Sequence, residues 1–292
     1  MPSTSVVDKR RLLSTNSHYQ YYPFEYFLKV QAAFGMKNIE LYGLPQHVRI
    51  GWKTDGDIEK LLQRIEGYGL SVPVLRPECN SRRYMLCAAD RERLLRSEFY
   101  YARCVESAAG IGAKTLSVNA LGAYMDEPYN IAFERAAISI YRLCKRAEES
   151  GVTIALETFC PGDSMICNSL GELKKLMDAV NHASLTATLD TLAMSEAGET
   201  IPKWFETLQG KIGYVCFSDG RSGSERYTWG SGIYPAGHYL DALNRCGYHG
   251  FLGMRLTRAE YYQEPELADN KNLDALKRFF MPEEGGTDDA FD

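Results

Sequence analysis

The chain has 292 residues, 45% of them hydrophobic and 24% charged, with a formal net charge of -5. That composition supports a large core and sets disorder aside, and the acidic balance leaves no basic footprint for nucleic acid. No apolar run reaches the length of a membrane span, and residues 1–11 lack the apolar centre of a signal peptide, so a soluble cytoplasmic protein is expected.

Residues 12–15 read as a first strand, and residues 23–34 carry apolar side chains at helical spacing up to Gly35. The same alternation continues along the chain. Strand 38–42 is followed by helix 55–68, strand 70–75 by helix 90–109, strand 115–118 by helix 129–150, and strand 152–157 by helix 170–180. Strand 185–190 precedes helix 201–208, strand 212–220 precedes helix 237–245, and strand 251–256 precedes helix 265–280. Strict alternation implies a parallel sheet, and eight repeats at this length favour closure into a single (β/α)8 TIM barrel over residues 1–280. An open doubly wound sheet is the alternative, but no Gly-x-Gly-x-x-Gly follows the first strand to support dinucleotide binding. Residues 281–292, rich in Gly and Asp, are expected to be a mobile acidic tail.

Eight cysteines are present without a Cys-x-x-Cys pair, and several lie in apolar runs. They are expected to be reduced core residues, and their spacing does not suit a zinc ribbon.

In a barrel the C-terminal strand ends converge on one mouth, so their residues act as a set. Strands five to eight end on Glu157, Asp190, Cys216 with Asp219 close behind, and Arg255. Two carboxylates and a thiol are ligand types for a divalent cation, magnesium, manganese or zinc. The plainer reading pairs Glu157 and Asp190 with Arg255 in a polar mouth.

At this point a resemblance enters. The segments Gly35-Met-Lys-Asn-Ile-Glu40-Leu, Pro77-Glu78-Cys-Asn80, Ile154-Ala-Leu-Glu157, Thr188-Leu-Asp190-Thr191, Val215-Cys216-Phe-Ser-Asp219-Gly220, Gly230-Ser-Gly232 and Gly247-Tyr-His-Gly250 come in an order and spacing that resembles the xylose-isomerase-like barrel superfamily. The likeness is greatest to its sugar phosphate isomerase/epimerase branch, which includes ketose 3-epimerases and inosose dehydratases. It implies one divalent metal held by Glu, Asp, His and Glu from strands five to eight, with the two Glu exchanging a proton on opposite faces of an enediolate. Glu157 and Asp190 match the first two positions. Cys216 stands where the family has His, and Arg255 falls on the closing Glu.

An arginine neither ligates a cation nor serves as an ordinary base, so the two substitutions weigh against a metal, and Arg255 is expected in its place. The resemblance also puts substrate contacts at His47, Glu78, Asn80 and Asp219, and Trp52 and Trp229 follow strands where a ring could stack on a sugar. Trp204 reads as helix packing.

The function expected is therefore a sugar or polyol isomerase or epimerase acting by proton abstraction next to a carbonyl, with Glu157, Asp190 and Arg255 as catalytic residues and a degenerate metal site. The alternatives are a carbohydrate-binding or accessory subunit that has lost its chemistry, and a dehydratase of the same superfamily. The partner expected is a small carbohydrate or polyol, with no membrane and no nucleic acid, in a chain that can form a homo-oligomer. The apurinic-endonuclease branch is set aside, because its multi-metal site needs His at strand ends that lack them here. Paired-carboxylate glycosidase chemistry has nothing beyond Glu157 and Asp190 in its favour.

Overall fold

The computed structural model describes residues 6–51, 54–78 and 82–282. Eight parallel strands close a barrel: β1 (Leu12–Thr15), β2 (Asn38–Tyr42), β3 (Ser71–Arg76), β4 (Thr115–Asn119), β5 (Thr153–Glu157), β6 (Leu185–Asp190), β7 (Ile212–Cys216) and, after a short antiparallel pair β8 (Asp219–Gly220) and β9 (Arg226–Tyr227), β10 (Leu252–Met254). Each barrel strand pairs with its chain neighbours and β10 closes on β1, so the (β/α)8 expectation holds. No described helix is long and apolar enough to cross a membrane.

Helices α1 (Phe24–Ala33), α2 (Asp55–Glu66), α3 (Arg91–Gly110), α4 (Tyr129–Glu149) and α5 (Leu170–Val180) cover the first strands. A fully formed capping box at Thr54 and Asp57 starts α2, and the Asp90 and Ser169 side chains start α3 and α5 by accepting backbone N–H groups. The outer ring is completed by α6 (Thr191–Glu196), α7 (Ile201–Leu208), α8 (Ala236–Arg245) and α9 (Pro265–Lys277).

Two details depart from the pattern read in the sequence. Strand seven stops at Cys216, and the chain re-pairs Asp219–Gly220 with Arg226–Tyr227 in the loop that follows. Asp190 also opens a short helix, α6, that the periodicity gave no sign of. Of the expected tail, residues 283–292 lie outside the described residues, while the Met281 N–H donates to the Val7 carbonyl at 3.1 Å and ties the end of the barrel to its start.

Strand alternation sorts the barrel's side chains. Ile154 and Leu156 belong to the large core between strands and helices, whereas Leu13, Val74, Ala155 and Tyr214 form a separate apolar plug inside the barrel. Two residues further along, the inward row turns polar, with Ser117, Glu157, Cys216 and Arg255 all buried. The plug is thus a floor on which a polar layer rests.

Gly253, opposite Cys216 in the register, is required where the floor meets that layer. A Cβ there would collide with the Tyr214 hydroxyl and come within 3.2 Å of Glu40 Oε2. Gly253→Ala is expected to lower unfolding free energy by about 1–3 kcal/mol, the usual range for overpacking a core, read by denaturant titration. Stability equal to the parent chain would refute the close approach.

Candidate active site

The centre of the mouth is the Arg255 guanidinium. Its Nε donates to both carboxylate oxygens of Glu40 at 3.0 Å, and one terminal nitrogen donates to Glu40 Oε1 at 2.7 Å and to Ser117 Oγ at 3.3 Å. The other terminal nitrogen donates to Glu157 Oε1 at 2.7 Å. One side chain thereby joins β2, β4 and β5 to the residue after β10. Glu40 and Asp190 are 0% exposed, Arg255 3% and Glu157 4%, so these charges are desolvated and their pairing decides whether they can exist there. The Tyr214 ring lies 5.6 Å from the guanidinium carbon, placing an aromatic face against the same cation.

Two further arginines complete the cluster. Arg226, delivered by β9, donates to Asp190 Oδ2 and stands 3.7 Å from Glu157 Oε1. Arg76, the last residue of β3, has Nε 3.6 Å from Glu157 Oε2 and lies over the Tyr42 ring at 5.3 Å. Glu157 Oε2 accepts no hydrogen bond, and the hydroxyl of Thr158, the next residue in the chain, also lacks a partner. Asp190 Oδ1 accepts the Leu192 and Ala193 N–H groups at 2.9 and 3.3 Å, which makes it the N-cap of α6. Three carboxylates are therefore matched by three guanidinium groups. Burial alone would raise the Glu157 pKa, but the charges of Arg255, then Arg76 and Arg226, outweigh it and hold the carboxyl below the ordinary range. Burial pushes the Cys216 thiol up to about 12, so it stays protonated at neutral pH.

The expected partnership of Glu157 with Arg255 is present, but the sequence reading missed Glu40, Arg76 and Arg226. Glu40 carried a usable signal: in β2 it alternates with Ile39 and Leu41, which pack in the outer core, so it must point inward and needs a cation. Arg226 gave none, since it sits in a loop without periodicity.

Glu157, Asp190 and Cys216, the residue types that could ligate a cation, do not form a metal-binding set among the described residues. Guanidinium groups stand on Glu157 and Asp190, the Cys216 sulfur is 3.9 Å from Ser218 Oγ as its polar neighbour, and among the described residues no three His, Cys, Asp or Glu are placed to hold an ion. A dication would have to displace fixed positive charge to bind, so the donor set does not suit one.

The outlying candidates divide. Glu78 lines a cavity of about 340 Å³ beside the ends of β2 and β3, together with Arg49, Arg83, Tyr84 and Tyr100. His47 has both ring nitrogens engaged: Nε2 donates to the Tyr22 carbonyl at 2.8 Å and Nδ1 accepts from Asn16 at 3.1 Å. Asn16 in turn pairs with the Tyr42 backbone, so His47 braces the end of β2 and has no ring nitrogen left for substrate. Asp219 is likewise spent on its own loop, because Oδ1 accepts from Gly220 and Tyr234 N–H and Oδ2 from Gly230 and Gly232 N–H, all at 2.8–2.9 Å. Trp229 is 3% exposed and packs on Phe217 at 4.3 Å, which removes it as a sugar-stacking surface. Trp204 is helix packing as expected, its indole N–H donating to Glu199 at 2.8 Å. Asn80 and Trp52 lie outside the described residues.

Removing one partner of the central cluster leaves buried charge behind. Arg255→Met is expected to cost about 3–5 kcal/mol at neutral pH, measured by denaturant unfolding, and a loss within error of zero would contradict the pairing. Because the folded-state pKa of Glu157 is lowered, its stabilising contribution is fully present above its ordinary value of 4.5 and is lost as pH falls below that value. Glu157→Gln should therefore flatten the acid limb of stability against pH, and an unchanged acid limb would show that Glu157 is not held ionised by the arginines.

With this geometry in hand, relatives can be compared. A fructoselysine 3-epimerase of Shigella flexneri is 22% identical over 267 residues, spanning 91% of this chain and 96% of the relative. Among solved structures, 3-keto-D-glucoside 4-epimerase from E. coli superposes with a TM-score of 0.77 at 17% identity, covering 93% of this chain and 99% of that one. D-psicose 3-epimerase in the presence of D-fructose gives a TM-score of 0.76 at 15% identity over 92% and 97% of the two chains. At these identities the structural likeness is one of fold. Family assignment rests instead on the match across residues 28–279: the chain belongs to the xylose isomerase-like TIM-barrel family.

Proposed function

We propose that the chain is a carbohydrate isomerase or epimerase that moves a proton next to a carbonyl and does so without a metal. One observation carries this reading: the Glu157 carboxyl, whose pKa is held below the ordinary range by three neighbouring guanidinium groups, has one oxygen that accepts no hydrogen bond. Such an oxygen can take the proton of a carbon acid, and positive charge fixed beside it opposes the negative charge that then builds on the carbonyl oxygen. Arg226 and Arg76, on the mouth side of Glu157, are assigned that electrostatic work. Asp190, bonded to Arg226 and to the first turn of α6, is a positioning residue for Arg226. Family membership and the epimerases among the relatives support a carbohydrate as the substrate class, and Cys216 and Arg255 in the family's ligand positions support a degenerate metal site.

A second reading, a carbohydrate-binding subunit without turnover, draws on one feature: Glu157 is almost fully buried beneath Arg76 and Arg226, so a substrate must displace one of them to reach it.

Purified protein assayed on ketoses and on fructoselysine separates the two. Turnover that survives dialysis against a chelator and falls about 100- to 10,000-fold in kcat with Glu157→Gln is expected, the range ascribed to a positioned general base. Ligand binding by calorimetry with no turnover would favour the binding subunit, and activity that requires added manganese, magnesium or zinc would refute the metal-free centre.

A further inference from the structure

Away from the mouth, the outer face of α4 is not the solvated face that a ring helix ordinarily shows. Its inner side is Ala132, Ala136, Ile140, Leu143 and Ala147, all buried. A helix that covers a core on one side turns charged and polar residues to the other. On α4 that other side carries Ile131, Ile138 and Tyr141, which are 48, 44 and 44% exposed, together with exposed Glu134 and Lys145. Among the described residues, the other exposed large apolar side chains on helices are Leu95 and Phe99 of α3 and Leu267 of α9. Leu95 and Phe99 belong to the same area, because they flank Glu98, whose carboxylate accepts from Ser139 and Arg142 of α4.

The spacing of the α4 row says what can cover it. Residues 131, 134, 138, 141 and 145 follow one another in alternating steps of three and four, the repeat with which two helices pack along a seam. The isoleucine and tyrosine of residues 138 and 141 form the middle of the row, and opposite charges, Glu134 and Lys145, stand on either side of them. When such a helix meets a second copy of itself antiparallel, residues equally far from the two-fold axis face each other. With the axis level with the midpoint of residues 139 and 140, Ile138 meets the partner's Tyr141 and Glu134 meets the partner's Lys145, each contact occurring twice. Ile131 then lies at the edge of the contact. A parallel pairing in register would instead oppose like charges at both positions, which costs stability. Glu134 and Lys145 have no ion-pair partner among the described residues, whereas the arginines beside the row are already used: Arg142 on Glu98, and Arg146 on Glu106 and Glu149.

We infer that α4 is the face through which two copies of this chain associate, packed α4 against α4 and antiparallel about a two-fold axis, with Leu95 and Phe99 at the flank. The apolar centre supplies the buried area, and the Glu134–Lys145 pairs set direction and register. Because the same patch is used by both copies, the assembly closes at two and does not propagate. The inference is independent of the reaction assigned to the barrel mouth.

Sedimentation velocity on the full chain in the micromolar range is expected to give a species of twice the 32.9 kDa chain mass. Ile138→Glu places a charge at the centre of the seam and should raise the dissociation constant about 30-fold or more, as the loss of an interface hot spot does. Glu134→Lys breaks two symmetry-related pairs and should raise it about 2- to 30-fold, and adding Lys145→Glu to the same chain should return it to the parent value. All three positions are exposed, and an unchanged far-UV circular dichroism spectrum verifies that each variant is folded. A wild-type chain that stays monomeric throughout this range would overturn the inference. An assembly unmoved by Ile138→Glu would overturn it by placing the contact elsewhere, and a charge reversal that the double variant does not rescue would overturn the antiparallel pairing.

Discussion

Everything at the mouth of this barrel depends on one guanidinium group. Arg255 reaches from the chain just past the last strand to carboxylates on β2 and β5, so it acts as a strut across the interior. A charge so deeply buried is tolerable only when its hydrogen bonds are met and its sign is balanced. Nε and both terminal nitrogens of Arg255 have carboxylate or hydroxyl partners, and both Glu40 oxygens are taken. The floor of Leu13, Val74, Ala155 and Tyr214 keeps water from below, and the bare Cα of Gly253 leaves room for Tyr214 and Glu40 to meet the cation.

Because that strut occupies Glu157 Oε1, the chemistry of the site is shifted outward. Arg76 and Arg226 meet Glu157 at ion-pair distances beyond hydrogen bonding, whereas Arg255 is fully bonded. The inner pair is architecture, and the outer pair is where partners can be exchanged. A lowered Glu157 pKa makes it a weaker base than an ordinary carboxylate, and in the proton transfer proposed above the same arginines that weaken it would oppose the negative charge building on the substrate oxygen. Base strength and charge stabilisation are coupled through the same three side chains.

The fold was legible because hydrophobic periodicity repeats eight times and glycines follow many of the helices, and these are local signals. Glu157 and its pairing with Arg255 were legible too, since strand ends in a closed barrel converge whatever their separation in sequence, whereas Asp190, read as a partner of the same arginine, bonds Arg226 instead. Glu40 was hidden in plain alternation, because its inward direction matters only once an arginine 215 positions away is known to face it. Arg226 could not be read at all: its place is set by a loop whose shape comes from hydrogen bonds to Asp219, not from any period. His47 and Asp219 were placed at the substrate by their positions, but in the structure the His47 ring bonds the Tyr22 carbonyl and the Asn16 side-chain amide, and Asp219 accepts four backbone N–H groups.

That Asp219 anchor separates two properties of the loop. Its four accepted N–H groups pin residues 220, 230, 232 and 234, and the Arg226 backbone is held on both sides by Thr257, at 2.8 and 3.2 Å. Residues 221–225, by contrast, are exposed. The tip can therefore accept sequence drift, insertion or new contacts while the cation it frames stays in register with the segment that follows Arg255. The loop thus has two parts: an exposed outer turn, and an inner arginine whose backbone is held as part of the barrel frame.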